Sequence, residues 1–159
     1  MKILILYYSY GGNTRRIAKL IQENIGGDLE EIHTVQRYSG SYNEVVEQGR
    51  KEVDSGYMPE IQPLSVNPSD YDRIILGSPV WWYTFAPAIK TFLHQYDLSG
   101  KIICPFSTNG GWPGHLLKDI SRACGNAVIK KGMDIRFEDR SLITEEKEII
   151  QWIQTIVNQ

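Results

Sequence analysis

Residues 3–8 read Ile-Leu-Ile-Leu-Tyr-Tyr, an apolar run with no polar interruption. A strand built from it has no hydrophilic face to offer to water, so it suits a parallel sheet covered on both sides. The run ends in Ser9-Tyr10-Gly11-Gly12-Asn13-Thr14, a turn-forming cluster. Ile17, Leu20, Ile21 and Ile25 then recur at helical spacing, with Arg15, Arg16, Lys19 and Glu23 between them. Gly26-Gly27 stops that helix. The first unit is therefore strand, glycine-rich loop, helix.

The same grammar returns along the chain. Asp28 to Val35 reads as a second, weaker strand, and Tyr42 to Asp54 as a helix with Val45, Val46 and Val53 inward. Pro59, Pro63 and Pro68 mark an irregular return. Tyr71 to Gly77 is a buried strand, and Ser78 to Thr84 follows as a loop. Pro87 opens a helix whose apolar face is Ile89, Phe92, Leu93 and Tyr96. Lys101 to Phe106 is the next strand, with Pro105 disturbing pairing near its end. Ser107 to Gly114 is a third loop, and Leu116, Leu117, Ile120 and Ala123 continue as a helix that stops at Gly125. The last strand lies within Ala127 to Phe137, interrupted at Lys130-Lys131-Gly132. Thr144 is the expected N-cap of a final helix with the stripe Ile149, Ile150, Ile153, Ile156 and Val157. Strands alternating with helices predict one α/β domain over residues 1–159, with a parallel sheet and right-handed crossovers.

Composition narrows the function classes. Seventeen Lys and Arg stand against nineteen Asp and Glu, a formal charge of −2. No basic surface excess is available for phosphate neutralisation, which argues against a nucleic-acid partner. No apolar run is long enough for a bilayer, and Ile3 to Tyr8 is too short for a signal-peptide core; the expectation is no membrane and a cytoplasmic location. Cys104 and Cys124 lack metal-ligand spacing and read as buried, reduced thiols. His33, His94 and His115 likewise share no metal spacing.

The chemistry gathers in three loops. In a parallel α/β sheet they all emerge at the strands' carboxyl ends, where ligands bind. Gly11 and Gly12 let the backbone curl so that N–H groups converge, Ser9, Asn13 and Thr14 add donors, and the helix beginning there presents its positive end. No P-loop lysine and no dinucleotide glycine spacing is present, so a phosphate monoester held without cleavage fits; a plain capped turn is the structural alternative. Trp81, Trp82 and Tyr83 supply rings able to stack on a planar heterocycle, or to pack in the core or against a subunit. Thr108-Asn109-Gly110-Gly111 brings backbone close to a ring edge.

These three segments, Ser9-Tyr10-Gly11-Gly12-Asn13-Thr14, Gly77-Ser78-Pro79-Val80-Trp81-Trp82 and Ser107-Thr108-Asn109-Gly110-Gly111, resemble the flavodoxin family in its short form, over nearly the whole chain. The resemblance implies a doubly wound sandwich: a five-stranded parallel sheet of order 2-1-3-4-5 with helices on both faces. It implies FMN as the cofactor. Ser9, Asn13 and Thr14, in the loop with Tyr10, Gly11 and Gly12, would hold the phosphate. Pro79, Val80, Trp81, Trp82 and Tyr83 would cover one face and edge of the isoalloxazine, and Thr108, Asn109, Gly110 and Gly111 the other edge. Three departures stand out. Gly11 occupies a position where the family usually has a hydroxyl, so backbone or Arg15 would replace one phosphate bond. The third loop lacks a stacking tyrosine. Trp82 stands where electron carriers often place a glycine.

Two functions follow from the resemblance. One is electron transfer between redox protein partners through non-covalent FMN. The other is an NAD(P)H-dependent reductase of quinones or similar small acceptors, favoured by mild charge and bulky aromatic loop. A signalling receiver domain would need acids where Gly77-Ser78 and Ser9-Tyr10 stand. A module that has lost its cofactor is the remaining alternative. Exposed tryptophans leave monomer and homodimer both open.

Overall fold

The computed structural model describes residues 1–158. Among the described residues eight strands and five α-helices follow one another: β1 (Ile3–Tyr8), α1 (Asn13–Ile25), β2 (Asp28–Ile32), α2 (Tyr42–Ser55), β3 (Arg73–Trp81), β4 (Thr84–Phe85), α3 (Pro87–Gln95), β5 (Ile102–Asn109), α4 (Leu116–Ala123), β6 (Val128–Ile129), β7 (Met133–Glu138), β8 (Ser141–Leu142) and α5 (Glu146–Val157). The sheet runs β2-β1-β3-β5-β7-β8, with β4 paired to β3 and β6 to β5. All pairings are parallel except the two short returns, β3–β4 and β7–β8. With β6 and β7 taken as one interrupted strand, the parallel strands stand in the order 2-1-3-4-5, as the resemblance implies. The short returns β4 and β8 are additional.

β1 has no exposed face because both its faces are core. Leu4, Leu6 and Tyr8 join Ile74, Leu76, Ile89 and Phe92 on one side. Ile5 and Tyr7 join Ile17, Ile21, Ile75, Phe106, Ile149 and Ile153 on the other. Helices α1 and α5 cover the second side; α3 and α4 cover the first. β5 changes partner partway along its length. Ile102 and Ile103 pair with β6, and Phe106 onward pairs with β7. Pro105, which has no N–H to give, sits at that change. Gly132 meets it there; a Cβ at Gly132 would lie 2.5 Å from the Pro105 carbonyl oxygen.

Four expectations need correction. β2 ends at Ile32 rather than Val35; beyond it Thr34 makes an isolated bridge to Ile61. β3 continues through Trp81, so Ser78 to Thr84 is a strand end and a tight hairpin, not a loop. β5 likewise carries Ser107, Thr108 and Asn109 in strand. In both cases pairing continues beyond the apolar run, from Ser78↔Ser107 to Pro79↔Thr108. Finally, Glu145 is the N-cap of α5, because the Thr144 hydroxyl accepts the Arg136 backbone N–H at 2.7 Å.

Gly77 shows how tightly the central strands interlock. The Phe106 ring folds over it, and a Cβ there would lie 2.1 Å from the ring. Gly77→Ala is expected to cost about 1–3 kcal/mol by overpacking, read as a lower urea midpoint. Adding Phe106→Leu should return part of that loss. Additive losses in the double variant would contradict this packing account.

Candidate functional site

The carboxyl ends of β1, β3 and β5 lie side by side, and the three sequence-predicted segments meet there. Thr14 at the start of α1 shares a buried 2.8 Å hydrogen bond with Thr108 of β5. Thr108 is the register partner of Pro79 in β3. Tyr10 of the first loop sets its ring edge-on to Trp81, with centroids 6.0 Å apart. Each segment thus touches the other two.

The first loop is a left-handed turn. Gly11 and Gly12 hold φ of 86° and 102°, and Gly12 is the N-cap of α1 without a side-chain cap. A Cβ on Gly11 would meet nothing within 4 Å, so the turn borders open space. No acid lies in the first turn of α1. The Ser9 hydroxyl accepts the Arg15 N–H at 3.2 Å. Asn13 donates from its amide to the Asp139 carbonyl at 2.8 Å, and Arg16 to the Arg140 carbonyl at 3.2 Å. The β7–β8 turn therefore braces the loop from behind, a long-range role without a local sequence signal.

The second segment is a hairpin with bulky residues in a backbone region that favours glycine. Trp82 and Tyr83 have φ of 49° and 72°. Left-handed backbone costs an L-residue roughly 1–2 kcal/mol, and several bonds hold it here. The Ser78 hydroxyl accepts the Ala86 N–H at 3.0 Å. The Trp82 indole N–H donates to the Val46 carbonyl of α2 at 2.8 Å. The His115 N–H donates to the Tyr83 carbonyl at 2.8 Å, with Gly114 pressed on the Tyr83 backbone. Trp81 lies against Gly49 of α2 and is ringed edge-on by Tyr8, Tyr10 and Tyr38. Tyr38 in turn donates to Glu52 at 2.6 Å. The contribution of α2 escaped the sequence reading; Gly49 inside a helical pattern was its one visible sign.

In the third segment, the Asn109 side-chain oxygen accepts the Gly111 N–H at 2.8 Å and shapes the turn. Gly111 has φ of 115° and faces Arg136, whereas a Cβ on Gly110 would meet nothing within 4 Å. His115 follows the loop and is hydrogen-bonded through Nδ1 to Asp119, which also accepts the Thr84 hydroxyl at 2.6 Å.

Arg15 is part-exposed but paired with an acid of β2. It grips Glu31 with two bonds of 2.8 and 2.7 Å, and Tyr7 donates to the same carboxylate at 2.9 Å. Burial and this bond push the Tyr7 hydroxyl up to about 12. Glu30 instead accepts the Ser65 N–H and hydroxyl. Burial pushes Cys104 and Cys124 up to about 11, so both are unreactive thiols. Among the described residues no cluster of His, Cys, Asp or Glu suits a metal ion, and no helix is long and apolar enough to cross a membrane.

Burial pushes the Glu31 carboxyl upward, but the bonds from Arg15 and Tyr7 outweigh it and hold the group below the usual carboxylate value. A carboxyl held low adds stability that is present above its unfolded pKa and lost as pH falls through the folded one. Glu31→Gln should therefore melt below the parent at neutral pH. The gap should close through and below the ordinary carboxylate range. A gap in melting temperature that stays constant with pH contradicts the linkage.

A solved structure shares this fold, and curated sequences match part of the chain. A flavoprotein from Lactobacillus acidophilus NCFM, solved in complex with FMN, superposes with a TM-score of 0.76 at 25% identity, covering 95% of this chain and 97% of that one. Flavodoxin 1 of Escherichia coli K12 is 26% identical over 106 residues, which is 64% of this chain and 46% of that protein, so the match spans about half the relative's length. An uncharacterized NAD(P)H oxidoreductase of the same organism is 24% identical over 86 residues, 52% of this chain and 44% of that protein. The family model described as Flavodoxin matches residues 2–156, and the chain belongs to the flavodoxin family.

Proposed function

We propose that residues 1–159 form a single FMN-binding redox domain, with the FMN phosphate in the Ser9–Thr14 turn. The isoalloxazine would lie between Pro79–Tyr83 and Thr108–Gly111. The observation that carries this reading is the meeting of the three segments through Thr14, Thr108, Pro79 and the Tyr10–Trp81 contact. The residues fit the group. An uncapped α1 terminus without first-turn acids is what a phosphate dianion takes. Open space before Gly11 and Gly110 admits a ligand close to the backbone. Arg15 is committed to Glu31, so neutral donors and backbone N–H groups carry the phosphate in this reading.

FMN, once bound, supplies one- and two-electron redox chemistry. The chain's own part is to position the ring and exclude water with the Trp82–Tyr83 hairpin. That hairpin also favours a second reading, reduction of a small acceptor at the expense of NAD(P)H. Its bulky, well-tethered residues replace the flexible glycine of carriers, and an NAD(P)H oxidoreductase is among the relatives.

The purified chain should bind FMN with the visible absorption of a protein-held flavin. Thr14→Ala should weaken FMN about tenfold or more, the value of a charge-assisted hydrogen bond, and riboflavin much less. Equal losses for both ligands would remove the phosphate assignment. Anaerobic NADPH separates the two readings: rapid bleaching of the bound flavin marks a reductase, and none marks a carrier fed by a protein donor.

A further inference from the structure

A slot between α2 and the β3–β4 hairpin has walls without a charged side chain. Val45, Val46 and Gly49 form one side, and Val80, Trp81 and Trp82 the other. Tyr10 and Tyr42, both exposed, stand at its rim. The cleft beside β2 differs: Arg15, Glu31, His33 and Arg37 face into it.

The slot is built rather than incidental. Glycine inside a helix costs about 1 kcal/mol relative to alanine, yet Gly49 sits at mid-helix in α2. A Cβ there would approach the Trp81 ring to 3.2 Å and the Trp82 ring to 3.8 Å. Trp82 is held in left-handed backbone, with its indole N–H fixed on the Val46 carbonyl. Two indoles are thereby set as a wall facing the valines of α2. β3 lies between β1 and β5 in the sheet, and no residue of the Thr108–Gly111 turn lines the slot.

Size and chemistry name the ligand class. A volume of about 260 Å³ is small for a ligand site and suits one or two fused rings. Indole, phenol and valine walls favour a flat apolar body. The absence of charge along the lining disfavours an ionised ligand, whose desolvation nothing there would offset. The phenol hydroxyls at the rim can donate to a carbonyl oxygen.

We propose that this slot binds a neutral, planar, carbonyl-bearing aromatic of the quinone class, which as the domain's electron acceptor would take two electrons from reduced FMN and two protons from water and leave as the hydroquinone. The acceptor role rests on the redox reading above, whereas binding in the slot does not require FMN.

The test titrates 1,4-naphthoquinone into the full chain, with and without FMN, and follows the Trp82 indole N–H by NMR. The expected result is saturable binding in both forms, with the Trp82 signal shifted. A sulfonated naphthoquinone should bind about tenfold or more weaker, because its charge would be desolvated unpaired. Val46→Trp should fill the slot and abolish naphthoquinone binding, and Tyr42→Ala at the exposed rim should weaken it several-fold while leaving FMN affinity unchanged. Failure to bind either form overturns the proposal, as does equal binding of the sulfonate. Competition between FMN and naphthoquinone also overturns it, since the slot would then be the flavin ring's own site. Naphthoquinone binding without FMN binding would leave the slot standing and sink the redox reading instead.

Discussion

Burial of β1, β3 and β5 on both faces is the constraint from which the rest follows. A strand with core above and below has little room for polar residues along its middle. Ser9, Ser78, Ser107 and Thr108 therefore appear at or near the carboxyl ends. There they tie the strand ends together: Ser78 to the base of its own hairpin, Ser107 to Asp134 of β7, and Thr108 to Thr14 of the first loop. Parallel register then brings those ends to one edge of the sheet. The site is a consequence of where the core stops.

The hairpin after β3 shows the opposite economy. Two large aromatics occupy backbone that glycine would adopt freely, at a cost of roughly 1–2 kcal/mol each. Local strain of this kind persists only where surrounding contacts over-determine it. Here three separate elements hold the turn: α2 through the Val46 carbonyl, the α4 entry through Gly114 and His115, and the base of the hairpin through Ser78. A glycine at either position would relax the strain and release the ring that closes the wall. Rigidity, more than contact area, is what Trp82 adds.

Much of this was legible in the sequence, and the failures have physical causes. The alternation of elements, the three segments and the interruption at Lys130-Lys131-Gly132 were visible because apolar runs and glycines report directly on burial and turns. The ends of β3 and β5 were not. Ser78, Pro79 and Thr108 look like loop residues, yet backbone pairing with the neighbouring strand carries them into the sheet regardless of side chain. Arg15 was unreadable for a similar reason. Its partner Glu31 is distant in sequence and arrives only through the β1–β2 register, where Tyr7↔Glu31 brings the carboxylate beside the first loop. The N-cap of α5 failed because Thr144 had a better offer from the β7 backbone.

Charge adds a last step. Seventeen basic against nineteen acidic side chains give little long-range field. Electrostatic steering accelerates encounter between large partners that must meet in one orientation. A small neutral acceptor needs no such steering, because it can enter a slot by diffusion and is sorted by shape and desolvation alone. The mild net charge and the uncharged slot beside the hairpin thus favour the same class of partner from independent observations: one from composition, the other from the packing of α2 against Trp81 and Trp82.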